Sequence, residues 1–153
     1  MDLTSLLQPL GFILKLLFPP TIELGVMRLG NAGENYLDNL MIGGGLHTIS
    51  VAIKRVNPKV WEPERISVDA HLTISGYGQP PTAYSFDDER PVSDRKVKLT
   101  KSFNLKNFAE YQEIGQIQFH DLNPGENIEI EYQLSPKFRF ANKEPGVLRV
   151  HIN

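Results

Sequence analysis

The sequence predicts an all-β fold, an antiparallel two-sheet β-sandwich of about eight strands preceded by an apolar N-terminal helix. Three observations support this prediction. From Thr21 onward, apolar and polar residues alternate with a period of two in several segments. Eleven Pro and twelve Gly separate these segments, as turns between many short strands require. After Pro20 the chain contains no long amphipathic helix of the kind that parallel crossovers need.

The most apolar stretch is "LLQPLGFILKLLFPP" at residues 6–20, which is typical of a helix that ends at its Pro pair. Lys15 interrupts it, and the unbroken apolar run is shorter than the roughly 20 residues that span a bilayer. No basic region precedes it and no small-residue cleavage site follows, so we expect no cleavable signal peptide. One side of the helix carries Leu3, Leu6, Leu7, Leu10, Ile13, Leu14 and Leu17. The predicted division is therefore a docking or membrane-associating helix at 1–20 and a β-sandwich domain at 21–153.

Three segments alternate most clearly between apolar and polar residues. They are "HTISVAIKRV" at 47–56, "RISVDAHLTIS" at 65–75 and "NIEIEYQL" at 127–134. Their apolar positions predict the core face of half-buried strands. Weaker strand signals lie at 22–29, 95–103, 114–119, 137–140 and 147–152.

The segment "LNPGENIEIEYQL" at 122–134 joins a Pro-Gly turn to an alternating strand. It resembles the turn and strand that close many bacterial immunoglobulin-like domains. The resemblance covers about a dozen residues, and this chain has no Cys for the Cys, Trp, Cys core of antibody domains. It implies an immunoglobulin-like arrangement of the sandwich and no particular activity.

Two Pro-containing connections carry aromatic residues. In "GYGQPPTAYSFDDERPVSD" at 76–94, Tyr77, Tyr84 and Phe86 are either contact groups on a long loop or part of an edge strand, "TAYSF", whose aromatics cap the core. We favour the strand interpretation. In "NPKVWEPER" at 57–65, Trp61 either covers one end of the sandwich, which we favour, or anchors a partner.

The sequence gives no pattern for a metal or cofactor site, and we expect neither. The loop "GNAGENYLDNLMIGGG" at 30–45 offers oxygen ligands, but its spacing is not that of an EF-hand, and a capped helical turn at 33–41 explains it. The chain has no Cys, and His47, His71, His120 and His151 lie at no zinc-binding spacing.

Catalytic and nucleic-acid-binding signatures are also missing. His120 and Asp121 are adjacent, but no nucleophilic serine motif accompanies them. Glu129 and Glu131 share a strand face, where a solvated strand with Lys96 and Lys98 as cross-strand partners is the simpler explanation. The formal net charge of -2 and the lack of aromatics among the basic residues disfavour nucleic acid as a partner.

These observations predict a non-enzymatic interaction or structural module, a β-sandwich subunit docked through its N-terminal helix onto a partner protein, a second copy or a membrane surface. Two alternatives stay open. One is a hydrolase acting on carbohydrate or ester, with an acidic and histidine-containing cleft; the other is a membrane-anchored effector or envelope protein. A cytoplasmic or membrane-associated location is favoured. The candidate binding residues are Leu6, Leu10, Ile13, Leu14, Leu17, Trp61, Tyr77, Tyr84 and Phe86.

Overall fold

The computed structural model describes residues 22–29, 35–55, 65–85, 88–104, 110–136 and 146–153. Several sequence predictions concern residues outside these ranges and stay predictions. They are the N-terminal helix with Leu6, Leu10, Ile13, Leu14 and Leu17, the role of Trp61, the role of Phe86, and the strand at 137–140. The division of the chain after residue 20 is likewise a prediction from sequence.

The described residues are all-β, as predicted, and form ten strands. The strands are β1 (Ile22–Arg28), β2 (Asn39–Ile42), β3 (Gly45–Arg55), β4 (Arg65–Ser75), β5 (Thr82–Ser85), β6 (Asp88–Ser93), β7 (Lys96–Asn104), β8 (Gln112–Leu122), β9 (Asn127–Pro136) and β10 (Gly146–Ile152). No helix within these ranges is long and apolar enough to cross a membrane.

The strands form two five-stranded sheets that pack face to face. The first sheet has the order β1-β3-β8-β5-β6, and the second has the order β2-β10-β9-β4-β7. The predicted two-sheet sandwich is confirmed. The prediction of a purely antiparallel arrangement is wrong at one pair, because β10 and β2 run parallel. A parallel pair needs a long connection, and the seven strands from β3 to β9 supply it.

The helical turn predicted at 33–41 is wrong for its described residues. The backbone N–H of Leu37 donates to the carbonyl of Val26, and that of Val26 donates to the carbonyl of Leu37, both at 2.8 Å. Asn39–Ile42 then continues as β2, with Leu40 and Ile42 buried. This strand is too short to show its period of two against the surrounding Gly and Asn residues.

Residues 76–94, predicted as one long connection or as an edge strand at "TAYSF", contain two strands. β5 covers Thr82–Ser85 and lies between β8 and β6, so the edge position belongs to β6. β6 contains Pro91. Proline and charged residues are typical of edge strands, because an edge strand pairs on one side only.

The core lies between the sheets and uses the residues that the alternation predicted. In β4 the buried side chains are Val68, Ala70, Leu72 and Ile74, in β3 they are Ile49, Val51 and Ile53, and in β9 they include Ile128 and Ile130. Tyr132 and Leu134 continue the inward face of β9 and are partly buried against this core. A single shared core therefore joins the two sheets.

The acidic residues of β9 face outward, as expected, but their predicted basic partners are wrong. Strand β4 lies between β9 and β7, so Lys96 and Lys98 are not beside Glu129 and Glu131. Glu129 is instead paired with Arg149 on β10, with 3.6 Å between the carboxylate oxygen and Nε of the arginine. The pair is half exposed and contributes little to stability.

Candidate functional site

A cleft runs along β1, where this edge of the first sheet faces β9 and β10 of the second. Its volume is about 290 Å³. We call it the tyrosine cleft, because three of its lining side chains are tyrosines. It is lined by Glu23, Leu24, Tyr36, Leu37, Asp38, Tyr111, Tyr132, Val147 and Leu148.

Gly25 gives Tyr36 and Tyr111 the room to pack against β1. A Cβ atom at this buried glycine would lie 2.9 Å from Cε1 of Tyr111 and 3.0 Å from Cβ of Tyr36, closer than normal packing permits. The two tyrosine rings lie 4.9 Å apart between centroids, tilted by 34°. The Lys54 ammonium lies 4.6 Å from the centroid of the Tyr111 ring, in cation–π geometry.

The hydroxyl of Tyr36 is fixed by a chain of hydrogen bonds across the first sheet. The oxygens of Tyr36 and Ser50 lie 2.6 Å apart. Ser50 is fully buried and donates its proton to the Glu113 carboxylate, so Tyr36 must donate to Ser50. Burial raises the pKa of Tyr36 above its ordinary 10.0; the bond with Ser50 offsets part of the rise, and the charge of Glu113 adds to it.

Tyr132 reaches the cleft from the second sheet. Its neighbour across the β9–β10 pair is Gly146, where any Cβ atom would collide with the tyrosine ring. Burial raises the pKa of Tyr132 above its ordinary 10.0. A hydrogen bond with the backbone of Leu24 offsets part of this rise, while the charge of Glu23 increases it. Tyr132 therefore connects the second sheet to the edge strand of the first.

Two carboxylates give the cleft a negative character. Glu23 and Asp38 are exposed lining residues, and no Lys or Arg is among the described residues that line the cleft. Neither carboxylate forms an ion pair or side-chain hydrogen bond within the described part of the chain. The cleft thus combines aromatic surface, phenol oxygens and two carboxylates, with the Lys54 ammonium close by on the Tyr111 ring.

Exposed apolar side chains surround the cleft and continue along β2. Leu37 is 48% exposed, Met41 64% and Val147 38%. Leu37 and Met41 also line a second depression, of about 400 Å³, next to β2. We call Leu37, Met41 and Val147 the apolar margin of the cleft.

The tyrosines suggested by the sequence as contact groups lie elsewhere. Tyr77 is only 4% exposed; its ring packs edge to face on Phe119 with 5.3 Å between centroids. The Tyr77 hydroxyl accepts a hydrogen bond of 2.8 Å from the backbone N–H of His120 and donates to the His120 carbonyl. Tyr84, on β5, is 41% exposed and is not part of the cleft.

Sequence reasoning missed Tyr36 and Tyr111 and treated Tyr132 only as an inward-facing residue. The available signal was Gly25, because a glycine inside a strand often marks a close approach of other groups. Gly146, at the first residue of β10, marks the corresponding approach of Tyr132.

The residues of the hydrolase alternative do not meet in one cleft. His120 and Asp121 are at the end of β8 in the first sheet, whereas Glu129 and Glu131 lie on the outer face of the second sheet. In the described ranges, no group of three or more His, Cys, Asp or Glu residues has a geometry that could hold a metal ion.

No protein-family model matches the sequence. No curated protein matches it either. In fold, the chain is similar to the cohesin module from a family 33 glycoside hydrolase of Clostridium perfringens ATCC13124, with a TM-score of 0.50 and 15% sequence identity over 88% of this chain and 96% of that one. This similarity supports the β-sandwich assignment. The sporulation control protein Spo0M from Bacillus subtilis gives a TM-score of 0.37 at 11% identity, over 86% of this chain and 49% of that one, which is too low to add to the assignment.

Proposed function

We propose that this chain is a non-enzymatic interaction module, a β-sandwich subunit that binds a partner protein. The observation that carries the proposal is the surface around β1 and β2, where the tyrosine cleft adjoins the apolar margin formed by Leu37, Met41 and Val147. Aromatic residues and methionine are enriched at protein interfaces, and grouped exposed apolar side chains are typical of a surface that a partner covers.

The N-terminal helix predicted at 1–20 supplies a second contact in this proposal. Its apolar side has more apolar surface than a helix in a soluble protein normally exposes to water. This side carries Leu6, Leu10, Ile13, Leu14 and Leu17. It docks onto a partner protein, a second copy of the chain or a membrane surface. The immunoglobulin-like arrangement of the sandwich belongs to the same proposal, and the turn and strand at 122–134 support it.

The similarity to a cohesin module supports the modular part of the proposal. That sandwich is one module of a glycoside hydrolase, and 96% of it is covered by this chain. A sandwich of this size and fold can therefore be one module of a larger protein.

Light scattering tests the docking role of the helix. The molar mass of the full-length chain should exceed the 17.3 kDa of one copy in detergent-free buffer. A chain beginning at Thr21, and the full-length double variant Leu10→Glu with Leu14→Glu, should both return to one copy, because each removes the apolar contact. A double variant Glu129→Gln with Glu131→Gln, on the outer face of the second sheet, should assemble like the wild type.

Repeating the light-scattering measurement in mild detergent distinguishes a protein partner of the helix from a lipid-like surface. If assembly persists in detergent, the helix binds protein; if detergent alone restores single copies, the helix associates with lipid-like surfaces. A truncated chain that is no more soluble and no less associated than the full-length chain would remove the helix from the proposal.

A further inference from the structure

The tyrosine cleft has the size of a site for one amino-acid side chain. Its volume of about 290 Å³ falls just below the roughly 300–1,000 Å³ that is typical of small-molecule pockets. Its walls come from both sheets, since Tyr36 lies beside β1 and Tyr132 lies on β9. The cleft is therefore a recess formed jointly by the two sheets.

The charges of the cleft select for a cation. Glu23 and Asp38 line it and form no ion pair with the described residues, although Lys54, the β3 residue opposite Glu23, places its ammonium on the Tyr111 ring and offsets part of their charge. Their negative charges act inside the cleft, because both contribute to the raised pKa of Tyr132. An anionic group entering the cleft would be repelled by the same charges.

The aromatic rings favour the same type of ligand. The Lys54 ammonium already lies 4.6 Å from the centroid of Tyr111, so this ring accepts a cation in the folded protein. Lys54 itself is not among the lining residues of the cleft. The rings and phenol oxygens of Tyr36 and Tyr132 provide further surface that is attractive to positive charge.

We propose that the tyrosine cleft binds one basic side chain of a partner protein, an arginine in preference to a lysine. The guanidinium group is planar, stacks on aromatic rings and pairs with carboxylates such as Glu23 and Asp38 through two hydrogen bonds, whereas a lysine ammonium is a more strongly hydrated point charge. The apolar margin at Leu37 and Val147 would then cover the aliphatic part of the side chain. The inference rests on the proposed function and names the chemistry of its partner.

A titration of the full-length protein tests this inference. The probe is N-acetyl-arginine methylamide, and the readout is the NMR signals of protein carrying labelled tyrosine rings. The signals of Tyr36, Tyr111 and Tyr132 should shift and saturate, while that of Tyr84 on β5 should not move. The neutral N-acetyl-glutamine methylamide should bind at least about tenfold more weakly, because it lacks the charge.

Charge-removing variants provide the second arm of the test. The double variant Glu23→Gln with Asp38→Asn keeps the shape of the cleft and should weaken arginine amide binding by about tenfold or more. The matched double variant Asp121→Asn with Glu129→Gln removes the same charge at two exposed residues that do not line the cleft, and it should bind like the wild type. The thermal unfolding of all variants should coincide, which separates lost binding from lost folding.

Three results would overturn the inference. They are equal binding of the arginine and glutamine amides, unchanged binding in the Glu23→Gln and Asp38→Asn variant, and shifts that spare the three cleft tyrosines. Equal binding of N-acetyl-lysine methylamide would overturn the preference for arginine. None of these results changes the light-scattering outcome, so this inference and the proposed function can fail separately.

Discussion

Substituting Gly25 by alanine should destabilise the protein by forcing apart the groups that pack on β1. The new Cβ atom would lie 2.9 Å from Cε1 and 3.1 Å from Cζ of Tyr111, and 3.0 Å from Cβ of Tyr36. The Cβ atom of Tyr36 is fixed by the backbone, and residue 37 is hydrogen-bonded to Val26, so only the Tyr111 ring can move easily. The substitution therefore perturbs both the fold and the tyrosine cleft.

Two opposing terms set the size of the effect. Alanine in place of glycine inside a strand normally gains about 0.5–1 kcal/mol through the unfolded state. Inserting a methyl group into a packed region costs about 1–3 kcal/mol. The expected net effect of Gly25→Ala is a loss of about 1–2 kcal/mol in the free energy of unfolding.

Urea denaturation followed by intrinsic fluorescence measures this loss as a lower midpoint at an unchanged slope. Gly78→Ala is the matched control, because no atom beyond its two chain neighbours lies within 4 Å of a Cβ placed at Gly78. Its effect should stay within about 0.5 kcal/mol. If Gly25→Ala proves as stable as the wild type, or more stable, then Tyr36 and Tyr111 do not pack on β1 as described.

Three further predictions follow from the packing and hydrogen bonds. Gly115→Ala should cost at least about 2 kcal/mol in urea denaturation, because the new Cβ would lie 2.5 Å from the backbone oxygen of Tyr84; a neutral effect would contradict the packing of β8 on β5. Tyr132→Phe should cost about 1 kcal/mol through the lost hydrogen bond to Leu24, and an unchanged denaturation midpoint would contradict that bond. Stability should fall as the pH rises above 10.0, because the unfolded chain releases the protons of Tyr36 and Tyr132 before the folded chain does. Thermal unfolding at about pH 9 and about pH 11 measures this loss, which should shrink when both tyrosines are replaced by Phe.

The central strands were predictable because each has one face on the core and one in water. In β4 and β9 this burial produces an alternation that a sequence shows directly, from Val68 to Ile74 and from Ile128 onward. Strands β2 and β6 lie at sheet edges, where fewer neighbours constrain the side chains. The sequence therefore did not predict these two strands, because β2 has only four residues and β6 contains a proline.

The tyrosine cleft was not predictable, because its residues come from distant parts of the chain. Tyr36, Tyr111 and Tyr132 meet only when β1 becomes the edge of one sheet and β9 packs across from it. Sequence alternation indicates that Tyr132 points inward, but it does not indicate which strand lies opposite. Strand order and sheet assignment supply that information, and neither follows from local periodicity.

The convergence of these tyrosines on β1 can be measured by nuclear Overhauser effects in the full-length protein. We expect contacts between the Tyr132 ring and the Leu24 backbone, which belong to different sheets, and contacts between the rings of Tyr36 and Tyr111. If the Tyr132 ring contacts only residues of its own sheet, or if the two other rings show no mutual contact, then the cleft does not exist. The proposed arginine site would fall with it.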